Sequence, residues 1–491
     1  MDAAGTADLP LATDRAPARP AAFSLRLQLA LALALFLTCL APAAINGVPL
    51  VFTDTEGYLQ AAQIFRPIFD RAFGYGAFLR VTGGLWSLWL PALAQAGLAA
   101  WLVPRAIALE APRWPDRWRR PAALGLVAIL LLGHLPWLAA WIQPDIFTGL
   151  MILALWLLAE HWHAMPRTKR ALMLLAALGA ATTHLTNPPL LAGIGLFALG
   201  TALLRSFRHR RHRRAGEAGP PAGLAPIRRT VLLALPLAAL GWGLLVSANY
   251  ITYRQATFSP SSPVFLFARL AADGDPAAAL RPGCQAGAPW VACRYLDRLK
   301  LPADEFLWRA WSPLPEMGGI PGFMREAAEL NPILLRQDWP IWLVNSAVRM
   351  VNQMTALGLG DGMDAEGPWM LGQYLGRHGL EHLAVAIRAS RQATDGMQGL
   401  MPHLPAEILA GAGLLGLAGL FLYGLGQHRT SIWWPALFML AIWAGNAALI
   451  ALGGEVHARY SARLVWIAPL LAGLVALRAA APRPPRRGSL A

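Results

Sequence analysis

The stretch VFTDTEGYLQAA, residues 51–62, places two carboxylates, Asp54 and Glu56, directly after an apolar run long enough to cross a membrane. A carboxylate at a bilayer edge inside a helix bundle needs a partner or a purpose. Asp54 could accept a proton from a hydroxyl nucleophile, which requires the two groups to lie within about 3 Å. A structural reading competes with this. Thr53 to Glu56 has the form of a capping box, and Asp54 would then sit at the positive end of the helix dipole. Tyr58, Leu59, Ala62 and Phe65 recur at helical spacing, so a helix is expected here, apolar on one face and lying along the outer membrane surface.

Further polar groups follow. FRPIFDRAFGYGAF, residues 65–78, holds Arg66, Asp70, Arg71 and Tyr75. Arg66 or Arg71 could contact a phosphate; equally, Arg66 and Asp70 could form an i,i+4 pair on one helix face. WIQPDIFTGLMILAL, residues 141–155, presents Asp145 after Pro144 at the start of another apolar run. Cys284 and Cys293 are read as a disulfide closing a short loop on an oxidising face. Zinc usually takes four ligands, which two thiols do not supply.

The elements that must hold these groups are membrane helices. The 491 residues are 56% hydrophobic and 14% charged, with a mean hydropathy of +0.44; soluble domains average about 25% charged residues. Ten apolar runs are long enough to span about 30 Å of hydrocarbon: 25–45, 84–104, 121–141, 146–162, 171–187, 188–205, 230–250, 405–425, 432–452 and 463–480. Placing the N-terminus in the cytoplasm puts the great majority of the short-loop Lys and Arg inside, so both termini are expected to be cytoplasmic. The net charge of +15 therefore needs no nucleic acid. RSFRHRRHRR, residues 205–214, reads as a positive-inside anchor attracting anionic headgroups; His209 and His212 have no Cys or carboxylate nearby to complete a metal site. The first run is read as a retained span rather than a cleaved signal peptide.

The expected organisation is all-α. Residues 1–24 are a disordered cytoplasmic N-terminus. Residues 25–250 form an N-terminal transmembrane module whose first periplasmic loop is 46–83, with a flexible linker at 215–226. Residues 251–404 are a periplasmic segment of short helices and loops, in which 338–359 reads as amphipathic or re-entrant. Residues 405–480 are C-terminal transmembrane helices, and 481–491 are a cytoplasmic tail. No P-loop, dinucleotide fingerprint, HExxH or GxSxG occurs.

VFTDTEGYLQAA, RAFGYGAFLRVTG and the span containing LPALAQAGLAAWLV together resemble the start of the GT-C superfamily. These are polytopic glycosyltransferases that take sugars from polyprenyl-phosphate carriers, the protein O-mannosyltransferases and aminoarabinose-to-lipid-A transferases among them. The resemblance implies a bundle of about ten or more spans, with an acidic pair after the first span followed by helices parallel to the membrane. In many relatives the acids are adjacent; here Thr55 separates them. The base role is carried onto Asp54, with Glu56 as helper. Asp145 resembles a second acidic site, positioning the acceptor or coupling to Asp54; the alternative is a helix-start Asp beside a proline.

In GEVHARYSARLVWIAPLLAGL, residues 454–474, the Arg-Tyr pair before a proline-containing last span also resembles these relatives. Arg459 could hold a departing phosphate in bidentate fashion, with His457 and Tyr460 adding hydrogen bonds. The competing reading of Arg459 is an interfacial anchor, and Arg463 is expected to snorkel. Tyr58, Arg71, Tyr75, His184 and Asn187 are expected to line the cavity, the last two from the polar turn THLTNPP. The implied partners are a polyprenyl-phosphate sugar donor, a glycan, lipid or protein acceptor, and membrane lipids. A divalent metal on Asp54, Glu56 and Asp145 is a second option to metal-free chemistry. The rival functions are a transporter or flippase of lipid-linked sugars, which calls for matched broken helices in two halves, and a non-catalytic assembly protein, in which Asp54, Asp145 and Arg459 point to different places.

Overall fold

The computed structural model describes residues 24–214, 223–360 and 362–481. The readings of residues 1–23, of the linker over 215–222 and of the tail from 482 onward lie outside the described residues, as does the side chain of His212. The regular structure of the described residues is helical, with two isolated bridges and no strand among them. Among the described residues eight helical stretches are long and apolar enough to cross a membrane. Helices suit this role because they satisfy their backbone hydrogen bonds internally. The protein is a helical, multi-pass membrane protein.

The chain opens with α1 (Leu25–Asn46). Two short helices follow, α2 (Thr55–Ile64) and α3 (Phe73–Val81), then α4 (Trp89–Glu110). On α1 the side chains of Leu31, Leu35 and Cys39 are buried, whereas Leu25, Leu29, Leu33 and Leu37 point outward. Both faces are apolar, as expected for a helix with protein on one side and lipid on the other.

The expected span 121–141 is not one helix. It divides into α5 (Arg119–Leu131) and α6 (Leu135–Ala140). Pro136 lies in the first turn of α6, where its missing N–H is tolerated; inside a continuous helix it would remove a bond and clash with the preceding turn. Next come α7 (Asp145–His161) and α8 (Arg167–Ala181). With 15 residues, α8 is about 22 Å long, short of the span expected over 171–187. Among the described residues eight helical stretches are thus long and apolar enough to cross, α5–α6 and α8 not among them. Almost every residue of α7 is buried, and its all-round apolar sequence fits a helix at the centre of the bundle.

Two long antiparallel helices, α9 (Asn187–Arg214) and α10 (Leu224–Tyr253), close the first half. Residues 224–226, expected in the linker, already belong to α10. The segment that follows contains α11 (Ser262–Asp273), α12 (Pro276–Gln285), α13 (Ala303–Trp308) and α14 (Gly319–Thr355). They share a separate core around Phe267, Phe306 and Phe323, and Cys284 and Cys293 form a disulfide within it. By contrast α15 (Glu366–Arg377) and α16 (Glu381–Arg388) contribute Leu371, Leu375 and Ile387 to the main core, and α17 (Arg391–Thr394) buries Gln392.

The piece 338–359, read as amphipathic or re-entrant, is mostly the second half of the 37-residue α14. Its polar residues Ser346, Arg349 and Gln353 are buried, while Trp339, Ile341, Val344, Val348 and Val351 face outward. Arg349 donates to both oxygens of Asp273 on α11, at 2.6 and 2.8 Å, and to the Ala451 carbonyl. This inverted amphipathicity is why a hydropathy average passes over it.

The chain ends with α18 (His403–Gly426), α19 (Thr430–Gly453), α20 (Ala458–Val465) and α21 (Ile467–Ala480). Small residues allow close approach. A Cβ on Gly149 of α7 would lie 2.3 Å from the Trp466 ring nitrogen, and one on Gly413 of α18 would lie 2.5 Å from the Pro469 backbone nitrogen.

Candidate functional site

The loop after α1 and the loop before α7 are joined by backbone hydrogen bonds. Leu50 N–H donates to the Ala140 carbonyl at 3.0 Å, and Ile142 N–H donates to the Leu50 carbonyl at 2.8 Å. Thr55 extends this junction. Its hydroxyl donates to the Ile142 carbonyl at 3.1 Å, and it accepts from Phe52 N–H at 2.9 Å and from the Gln143 amide at 3.0 Å. On the other side, the buried Gln392 amide accepts from Val51 N–H and donates to the Val51 carbonyl.

This scaffold replaces the expected capping box. Helix α2 begins one residue later than that motif requires, with Asp54 at the N-cap position, and the Asp54 side chain makes no capping bond. Its carboxylate is turned to two arginines instead. Arg71 Nη2 lies 2.6 Å from Asp54 Oδ1. Arg459, from the far end of the chain, brings Nη1 and Nη2 each to 3.2 Å from Oδ2. Burial works to raise the Asp54 carboxyl, and the Arg71 and Arg459 charges outweigh it, leaving the group below its ordinary value. Arg71 responds in the opposite sense: burial disfavours its charge, and Asp54 and Asp70 more than restore it.

Arg459 is not an interfacial anchor. It is buried, sits 4.3 Å over the Phe52 ring, and donates to the Tyr460 hydroxyl at 3.1 Å. Nor does Arg463 snorkel. It is wholly buried, donates to Asn446 Oδ1 at 2.5 Å, reaches the His184 ring at 3.4 Å, and lies 3.9 Å from Asp145 Oδ1. Asp145 begins α7 as its sequence suggests, yet Oδ1 makes no hydrogen bond among the described residues. Asp54, Arg71, Arg459, Tyr460, Arg463, His184 and Asp145 therefore form one linked polar centre at one end of the bundle.

Other expected site residues have different surroundings. Burial pushes the Glu56 carboxyl up, opposed by the nearby His378 charge; none of the ion pairs around Asp54 includes it. Arg66 is exposed past the end of α2, and Asp70 pairs with Arg71 at 3.0 Å. The expected Arg66–Asp70 pair on one helix fails because the helix stops at Ile64. His457 Nε2 lies 3.2 Å from Asp304 in the first turn of α13. Tyr58 packs edge-on against Tyr75, whose buried hydroxyl donates to Gln95. Asn187 accepts from Thr148 at 2.9 Å and donates to the Ala180 carbonyl, fixing the turn before α9. Among the described residues no group of three or more His, Cys, Asp or Glu side chains gathers as a metal site, and this includes Asp54, Glu56 and Asp145.

Sequence reasoning passed over Thr55, Gln392, Asn446 and the depth of Arg463. A polar residue interrupting an apolar run was the available signal for Asn446 and Arg463; nothing local marks Gln392. Two guanidinium groups sharing one carboxylate can also grip a phosphate, whose oxygens accept the same paired N–H donors. Compared with known protein families, with curated proteins and with solved structures, the chain matches none.

Proposed function

We propose that the chain is a GT-C-like membrane glycosyltransferase that moves one sugar from a polyprenyl-phosphate donor to an acceptor hydroxyl. On this reading it lies in a bacterial inner membrane, with its termini cytoplasmic and the Asp54 centre periplasmic. The broken pair α5–α6 and the short α8 would also cross, bringing the crossings to ten. The observation that carries the proposal is the sharing of the Asp54 carboxylate between Arg71 and Arg459.

In that arrangement Asp54 is a poor base, because both arginines favour its ionised form and lower its basicity. An incoming donor phosphate competes for the same guanidinium donors. Once it takes them, Asp54 loses its partners and its proton affinity rises. The acceptor O–H then gives its proton to Asp54 while its oxygen forms a bond to the anomeric carbon. The bond from that carbon to the phosphate oxygen breaks on the opposite face, giving inversion. The electron pair stays on the phosphate, where Arg459 and Arg71 neutralise the growing charge. On this reading Asp145 and His184 orient the acceptor. The convergence of Asp54, Asp145 and Arg459 also weighs against the assembly-protein reading.

The test is carrier release. Purified protein in nanodiscs is supplied with polyprenyl-phosphate sugars and acceptors, and free carrier is followed by mass spectrometry. Release by wild type and its loss in Asp54→Asn supports the proposal; equal release by both removes Asp54 as the base. Absence of release by wild type across donor and acceptor sets counts against the glycosyltransferase reading.

A further inference from the structure

At the end of the bundle opposite Asp54, the C-terminal part of α9 meets the start of α19 through Arg205 and Thr430. A cavity of about 710 Å³ opens between them, lined by Phe197, Arg205, Arg208, His428, Trp433 and Leu437 among others. A second, wholly apolar cavity of about 300 Å³ continues along the same two helices past Phe197 and Phe438 to Pro189 and Leu452. Both share the Phe197 wall, so together they make one groove. From Leu190 to Arg208 the helix rises about 27 Å, close to the hydrocarbon thickness of about 30 Å.

The charge is confined to one end. Arg205 is half-buried and fixed, donating to the Thr430 hydroxyl at 2.7 Å and lying 5.0 Å over the Trp433 ring. Arg208 and His428 are exposed at the same mouth. An ordinary interfacial arginine reaches freely into the headgroups; this one is held in place beside an apolar channel. Basic pockets between membrane helices recognise phosphate headgroups, and the channel takes the chains below them.

We infer that this groove holds one anionic glycerophospholipid, its phosphate at Arg205, Arg208 and His428 and its acyl chains along Phe197, Leu437 and Phe438. Gly193 keeps the channel open: a Cβ there would meet nothing within 4 Å, so a larger side chain would project into the space the chains need. The site is independent of the sugar-transfer proposal, because it lies at the other end of the bundle and shares no residue with it.

The experiment is native mass spectrometry of the full chain, delipidated and titrated with phosphatidylglycerol, with phosphatidylcholine of the same chains, and with inorganic phosphate. The expected result is one retained phosphatidylglycerol per chain, bound about tenfold more tightly than phosphatidylcholine and not displaced by millimolar phosphate. Arg208→Gln, an exposed position, should lower that preference several-fold. Gly193→Leu should lower retention of both lipids alike. Equal binding of the two lipids, or unchanged binding in both variants, overturns the inference. Displacement by inorganic phosphate also overturns it, in favour of a soluble anion site.

Discussion

Asp54 and Arg459 stand 405 positions apart in the sequence, yet both terminal nitrogens of the guanidinium lie 3.2 Å from one carboxylate oxygen. Their meeting joins the first loop of the bundle to the start of the last helical crossing. It also fixes what each can do, since the arginine holds the carboxylate ionised and the carboxylate holds the arginine in a position where an anion could take its place.

If this exchange is the chemistry, the two substitutions should separate. Asp54→Asn should lower transfer by about 10²–10⁴-fold while leaving donor binding intact or tighter, because a competing anion is gone. Arg459→Ala should lower transfer by about 10²–10³-fold and weaken donor binding as well. Single-turnover rates and donor titrations on both variants check this.

The pH dependence follows from the same pairing. The folded Asp54 carboxyl lies below its unfolded value, so its contribution to stability is present above the unfolded pKa of about 3.9 and is lost as pH falls through the folded one. Arg71→Gln removes the largest of the charges that lower it. In that variant acid unfolding should begin at higher pH than in wild type, measured by thermal shift across an acid series. An unchanged acid limb would show that Arg71 does not govern the titration.

Gln392 should matter for the stability of the loop rather than for chemistry. Gln392→Ala leaves the backbone N–H and carbonyl of Val51 without their buried partner. The expected cost is about 1–3 kcal/mol for each group left unsatisfied, seen as a lower unfolding midpoint in detergent. Gln392→Glu retains the acceptor and loses the donor, so it should restore only part of the loss.

Packing around α7 makes a separate prediction. Gly149→Ala drives a methyl to within 2.6 Å of the Arg463 carbonyl oxygen as well as into the Trp466 ring. Overpacking of this kind costs about 1–3 kcal/mol. Because Arg463 must shift, the change should also disturb the His184 and Asp145 contacts. Gly97→Ala, where a Cβ meets nothing, is the control and should be near neutral.

Several features were legible in the sequence because they depend on local composition. Apolar runs mark most of the crossings, since lipid demands continuous hydrophobicity. Asp54 and Asp145 stand out as acids at span edges, and the cysteine pair is close enough in sequence to suggest its bond. Arg66 shows the limit of such reasoning: its i,i+4 relation to Asp70 holds only if the helix continues, and α2 stops at Ile64. The break at Pro136 and the shortness of α8 likewise depend on how each helix packs and ends.

What the chain alone determined was a helical membrane protein with acids in the loop after its first crossing and a basic run between two crossings. Only the tertiary structure decided which groups meet. Arg463 reads as a snorkelling arginine until the fold brings α7, α19 and the His184 turn around it. Gln392 is an ordinary polar residue until its amide meets the Val51 backbone. The half of α14 that turns Arg349 inward and its valines outward hides from any hydropathy average. In each case the cause is the same: burial and pairing are properties of a position in space, and sequence spacing reaches them only within a single helix.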